Sequence, residues 1–346
     1  MKAAQWFAQR SSRYAALVAA LAILLLLSCL LSVTFGSATI PLKEVAEILL
    51  FKVYELPAEP HSWTPGQEQI VWLIRMPRVL LGALVGAGLA VVGAVLQAVT
   101  RNPLADPHLL GATSGATLGA VIVVLHLGEV LGMMTLPLAA FAGSLTSLFL
   151  VLWIATRQGR LESDRLLLGG VAVSLVMMAS ANLLLFLGDH RASSSVLFWM
   201  LGGLGLARWE LLPVPLTAVF LGWLLLQGLG RSLNALMAGD QAAVSLGLRV
   251  RNVRLMVFMI ASLVTGVLVA VSGSIGFVGL MVPHIARRIV GSEHRRLLPV
   301  AALLGALLMV WVDVIARTLI APQDLPIGIA TALLGGVFFI LLMRQR

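Results

Sequence analysis

Apolar residues do not alternate along this chain. They run in long blocks separated by short polar stretches. Blocks near 20 residues, the length a helix needs to cross roughly 30 Å of hydrocarbon, fall at 15–35, 79–100, 109–127, 130–156, 166–187, 211–230, 253–272, 275–290, 297–320 and 325–343. The pattern predicts ten membrane-spanning helices. A further apolar piece, SVLFWMLGGLGL from Ser195 to Leu206, is short and glycine-rich, so its length alone does not decide whether it crosses.

Two stretches break the apolar rhythm with helical patterns of their own. Within residues 36–74, PLKEVAEILLFKVYEL places a proline before an amphipathic run, which predicts a surface helix. Between Arg231 and Arg254, SLNALMAGDQAAVSLGLRVRN predicts two short helices interrupted at Gly239-Asp240 and closed by Gly247. Either something docks on them, or they form a plain connector.

Composition agrees with a bilayer as solvent. The 346 residues are 60% hydrophobic and only 11% charged, too few polar groups to cover a water-facing surface. The fold class is therefore an all-α membrane protein, with residues 1–346 forming one transmembrane domain. The net charge of +9 does not point to nucleic acid, because the basic residues sit in short runs between apolar blocks, where they set orientation. With ten spans and both termini cytoplasmic, 17 of the 24 basic residues lie inside, leaving Lys43, Lys52, Arg75, Arg78, Arg191, Arg208 and Arg317 outside. A crossing by Ser195–Leu206 would reverse everything after it and violate that asymmetry. This piece is expected to enter and return, or to lie as a half-helix along a cavity, where non-helical backbone is tolerated at membrane depth. Segment 36–74 then falls on the outer face and segment 231–252 on the inner face.

Candidate chemistry is sparse. Cys29 is the only cysteine, which leaves no internal disulfide and no CxxC site. Its LLSC context resembles a lipoprotein cleavage site, but the run Ala15–Phe35 is longer than a signal-peptide core and reads as a retained first span. No GxxxxGK[ST] loop is present and none of Lys2, Lys43 and Lys52 follows a glycine, so ATP hydrolysis is not expected of this chain. HExxH is absent and the six histidines are scattered; His284, in VPHIARR, reads as a helix-end histidine bonded to a neighbour. No cofactor or metal is expected on the chain. Asp313 and Arg317, four residues apart in WVDVIARTL, share a helix face and can pair. The scarcity of other intramembrane acids weighs against a stand-alone proton-coupled transporter. Gly82, Gly86 and Gly93 lie near one face and permit close helix approach. Arg75 and Arg78, in RMPR, can meet carboxylates on a partner or anchor the helix at the interface.

Four segments, in order, carry a family resemblance: RMPRVLLGALVGAGLAVVGAVLQAVTRNPLADPHLLGATSGA, GDQAAVSLGLRV, GSIGFVGLMVPHIARRIVG and LPIGIATALLGG. Together they resemble the FecCD-like permeases of bacterial type II ABC importers for ferric siderophores, haem and cobalamin. The resemblance implies an inner-membrane homodimer whose interface forms the pathway, with two ATPase subunits, which use ATP and Mg, below and a periplasmic binding protein above. It implies that Arg75, Arg78 and Arg317 dock the binding protein, and that Gly239, Asp240, Gln241 and Gly247 belong to helices seated in the ATPase cleft. It also implies a half-helix after the fifth span, with Ser195, Phe198, Trp199 and Met200 along the pathway. The cytoplasmic gate would fall at Asn102 and Leu104, where Gly111, Gly115 and Gly119 let the third span pack behind them. A second gate set falls at Ser163 and Asp164, where an acidic Asp164 departs from the small hydroxyl residues of the family. An iron chelate is the expected cargo, with cobalamin as the alternative.

Overall fold

A computed structural model describes residues 2–36, 38–54, 62–107, 111–128, 130–157, 160–161, 163–188 and 196–344, with side chains left aside at 2–11, 133, 157, 160–161, 163–164 and 167. The chain is a bundle of helices: α1 (Lys2–Thr34), α2 (Leu42–Tyr54), α3 (Pro65–Thr100), α4 (Ala112–Leu127), α5 (Thr135–Ala155), α6 (Ser163–Leu187), α7 (196–200), α8 (Pro213–Gly228), α9 (Gly230–Met237), α10 (Asp240–Ser245), α11 (Val250–Ser272), α12 (Val278–Val290), α13 (His294–Thr318) and α14 (Ile327–Arg344). A two-residue antiparallel strand pair, Thr156–Arg157 with Arg160–Leu161, joins α5 to α6.

Among the described residues, eight helices are long and apolar enough to cross a membrane. Two of the expected spans come out shorter: α4, Ala112–Leu127, has 16 residues, and α12 has 13. α12 is short because its first residues are not helical. Phe277 adopts a left-handed φ of 67° at its N-terminus, and residues 273–276 before it form no regular secondary structure, with Gly273 also at a positive φ of 65°. The helical part of the Ser195–Leu206 piece, 196–200, rises only about 7 Å and cannot cross by itself.

α3 forms the axis of the bundle. It starts well before the apolar block at 79, because Thr64 accepts from the Gln67 N–H while the Gln67 side chain accepts from the Thr64 N–H, and Pro65 follows as the first helical residue. Pro77 has no N–H to give, and the preceding turn, Ile70–Arg75, widens to a π-turn that accommodates it. The helix stops at Thr100, where Arg101 turns left-handed at φ 52° and Pro103 prevents continuation. Burial ranks the helices: 78% of the apolar window of α3 is inside the chain, against 22% for α1, α6 and α14, which form the rim.

Glycine pairs set the closest contacts. A Cβ at Gly86 would collide with the carbonyl of Gly305 on α13, and one at Gly93 with the carbonyl of Gly279 on α12. Lipid tails solvate apolar side chains well, so helices gain by close backbone approach rather than by hiding surface from water. Gly115 and Gly119 serve α4 against α5 in the same way.

Candidate functional site

At the end of the bundle where α3 begins, three arginines converge. α1 ends at Thr34, leaving its last carbonyls without helical partners. Arg75 Nη1 donates to Val33 O at 2.8 Å and Thr34 O at 3.3 Å, and its Nη2 donates to Ala38 O. Arg317 Nη2 donates to Ser32 O at 2.7 Å and Nη1 to Phe35 O at 3.3 Å. Two buried cations thus cap one helix C-terminus, where positive charge is favoured by the helix dipole. Arg78 faces the other way. Its Nε donates to Asp313 at 2.7 Å and its Nη1 reaches Asp324, on the stretch after α13. Asp313 also meets Arg317 Nε at 3.3 Å, so the expected i,i+4 pair exists, with Arg78 as its stronger competitor.

Beneath this cluster, three non-helical segments meet. Gly203 N–H donates to Ser272 O at 2.9 Å and Ile327 N–H to Gly202 O at 2.9 Å, which ties the end of α7 to the ends of α11 and α14. A cavity of about 690 Å³ opens against this junction, with walls that include Met200, Phe277, Gly328 and, from the turn after α3, Leu104 and Asp106. Phe198 and Trp199 lie on the other side of α7. They line a second cavity of about 370 Å³ shared with Ala120 and Val124 of α4. The half-helix is a partition between two cavities, and of the residues expected along one pathway only Met200 faces the larger. Ser195 lies outside the described residues.

The turn after α3 lies about 35 Å of helix from Arg78. Asn102 builds it: its side-chain oxygen accepts from Leu104 N–H at 2.9 Å and its carbonyl from Ala105 N–H at 3.1 Å, an Asx turn that leaves Leu104 exposed to the cavity. Nearby, α9 and α10 form the expected pair of short helices. Gly239 joins them at φ 111° and Gly247 ends α10 at φ 80°, conformations that a side chain resists. Asp240, the first residue of α10, bonds Arg254 of α11 at 2.8 Å and stands 3.6 Å from Arg101 at the head of the turn. Gln241 is exposed. Ser163 opens α6 with Asp164 after it, and their side chains lie outside the described ones. His284 stacks edge-on against Phe338 at 5.9 Å, and no grouping of three potential metal ligands occurs among the described residues.

Residues 24–345 match the FecCD transport family. The chain belongs to that family. A hemin transport system permease protein of Yersinia pestis is 42% identical over 281 residues, covering 80% of this chain and 84% of the relative. A cobalamin import system permease protein of Halobacterium salinarum is 43% identical over 277 residues, covering 80% and 74%. A solved structure described as a metal-chelate type ABC transporter in an inward-facing conformation superposes with a TM-score of 0.82 at 31% identity, covering 95% of this chain and 99% of the other. This FecCD-family chain is thus a multi-pass membrane transport permease, and its relatives are transport proteins by name.

Some partners at both ends of this FecCD-family bundle escape sequence reasoning. Asp324 and the Arg101 and Arg254 contacts of Asp240 carry no periodic signal. A third such group joins α3 to α12, where Gln97 donates to Gly279 O at 3.1 Å and accepts from Arg287 at 2.5 Å. A lone glutamine in GAVLQAV, within the otherwise apolar stretch 79–99 of α3, is the one sequence signal that could have pointed to it.

Proposed function

We propose that this chain is the membrane subunit of an ATP-driven importer that carries an iron chelate, haem or a ferric siderophore, from periplasm to cytoplasm across a bacterial inner membrane. Two copies face each other, and the path runs between them by alternating access. Two ATPase subunits bind α9 and α10 through Gly239, Asp240, Gln241 and Gly247. A soluble binding protein docks over Arg75, Arg78 and Arg317. On this reading α4 and α12 also cross, with help from flanking non-helical backbone, which makes ten spans and leaves both termini in the cytoplasm.

One observation carries the proposal. A single apolar cavity has Leu104 in its wall, from the turn that faces α10 through Arg101 and Asp240, and Gly328, four residues past Asp324 at the arginine end. Movement at either end therefore reaches the same wall, which is what a two-state path needs. The lining is mostly apolar, with Asp106 and Ser274 among its few polar members, and suits a bulky ligand that slides without being gripped. Ser163 and Asp164 are assigned to the same gate as Asn102 and Leu104.

A cobalamin cargo is the second reading, favoured by the 43% identity to the cobalamin relative, which matches the 42% to the hemin relative. The test is ATPase stimulation of the assembled transporter by its binding protein loaded in turn with haem, ferric siderophores and cobalamin. Haem or a siderophore should stimulate; stimulation by cobalamin alone replaces the first reading with the second. Proton-driven uptake by the chain alone, without ATPases, overturns both.

A further inference from the structure

The two carboxylates held by Arg78 differ in kind. Asp313 is fully buried, whereas the Asp324 side chain is 52% exposed, and Arg78 itself is only 11% exposed. Breaking the buried bond would strand a charge away from water. Breaking the exposed one exchanges it for water or another carboxylate at little net cost. Arg75 and Arg317 are engaged with the carbonyls at the end of α1, so of the three arginines Arg78 has the partner most readily exchanged.

Asp324 is also wired to the cavity. Its neighbour Leu325 donates to Ala316 O at 2.8 Å, Ile327 donates to Gly202 O at 2.9 Å, and Gly328 and Ile329 line the larger cavity. The short stretch from 324 to 329 therefore links the arginine cluster, the end of α7 and the cavity wall.

We propose that Asp324 is an internal stand-in for an acidic side chain of the docking partner. It holds Arg78 while no partner is bound, and an Asp or Glu of the partner displaces it. This rests on the docking reading above and adds what the undocked chain does with the cation. Asp313 holds the Nε side of Arg78 throughout, and carboxylate-for-carboxylate exchange keeps its Nη1 side paired as well, so docking never leaves that side of a mostly buried guanidinium without a partner. Displacement frees Asp324 and the backbone that follows it, which is hydrogen-bonded to the half-helix. Docking thereby loosens one wall of the cavity.

The test uses the assembled transporter in nanodiscs at low salt and the substrate-free form of the soluble binding protein that stimulates its ATPase. Removing the competitor with Asp324→Asn should tighten association about two- to five-fold, the range that an exposed ion pair supports. Asp324→Glu should behave as wild type. Glu47→Gln, which removes a partly exposed charge on α2, controls for general electrostatics and should change affinity by less than half as much. Arg78→Glu should weaken association. If it does while Asp324→Asn matches Glu47→Gln or loosens the complex, the stand-in role is overturned and docking through Arg78 survives. If Arg78→Glu leaves affinity unchanged, the docking reading falls and the stand-in role falls with it.

Discussion

Arg78 on α3 and Asp313 on α13 are joined by a 2.7 Å bond across 235 residues of sequence, and the same carboxylate takes Arg317 at 3.3 Å. One fully buried anion therefore separates two cations that would otherwise face each other. Asp313→Ala should destabilise the fold by about 3–5 kcal/mol, the usual result of removing one partner from a buried charge group. Thermal unfolding in detergent would register a large fall in midpoint. An unchanged midpoint would show that Arg78 and Arg317 find adequate neutralisation elsewhere.

Arg75 has a different task from Arg78, although the two are only three positions apart. Its guanidinium bonds Val33, Thr34 and Ala38 carbonyls, and a planar fork is needed to reach them together. Arg75→Lys keeps the charge and loses the fork. It should cost about 1.5–3 kcal/mol, as expected for hydrogen bonds to a charged group. It should also speed hydrogen exchange at residues 33–38 more than elsewhere. Uniform exchange across the chain would argue against a local cap.

Helices were far more legible than partners. Long apolar blocks locate spans because a bilayer demands about 20 apolar residues in sequence, and α5, α11 and α13 fall close to their blocks. Helix starts were less legible. α3 begins at Pro65 through a capping box and a π-turn that hydropathy does not register, and 275–290 reads as one block although Phe277 interrupts it. In the candidate site, the paired short helices follow from local chemistry, whereas the Asx bond from Leu104 N–H to Asn102 is seen only in the structure. The pairing of Arg78 with Asp324 spans 246 residues and leaves no local trace. The same holds for the two sides of α7, because five helical residues give no periodicity from which to tell Met200 from Phe198.

Asp240 offers the sharpest test of how α10 communicates with the turn after α3. Its two arginines are not equivalent: the Arg254 side chain is 5% exposed and bonds at 2.8 Å, whereas Arg101 is 45% exposed and stands 3.6 Å away. Burial strengthens the first interaction and water screens the second. Double-mutant cycles on unfolding should therefore give a coupling above about 1 kcal/mol for Asp240 with Arg254, and about 0.2–1 kcal/mol for Asp240 with Arg101. Function should rank them in reverse. Arg254 fixes α10 on α11 and serves the fold, whereas Arg101 heads the turn that carries Leu104 into the cavity wall. Arg101→Ala should leave the unfolding midpoint within a degree or two while lowering transported substrate per ATP in the assembled transporter, and the swap Arg101→Asp with Asp240→Arg should recover part of it. If Arg101→Ala leaves that ratio unchanged, α10 does not act on the turn through this pair, and the short helices must reach the cavity through α11 instead.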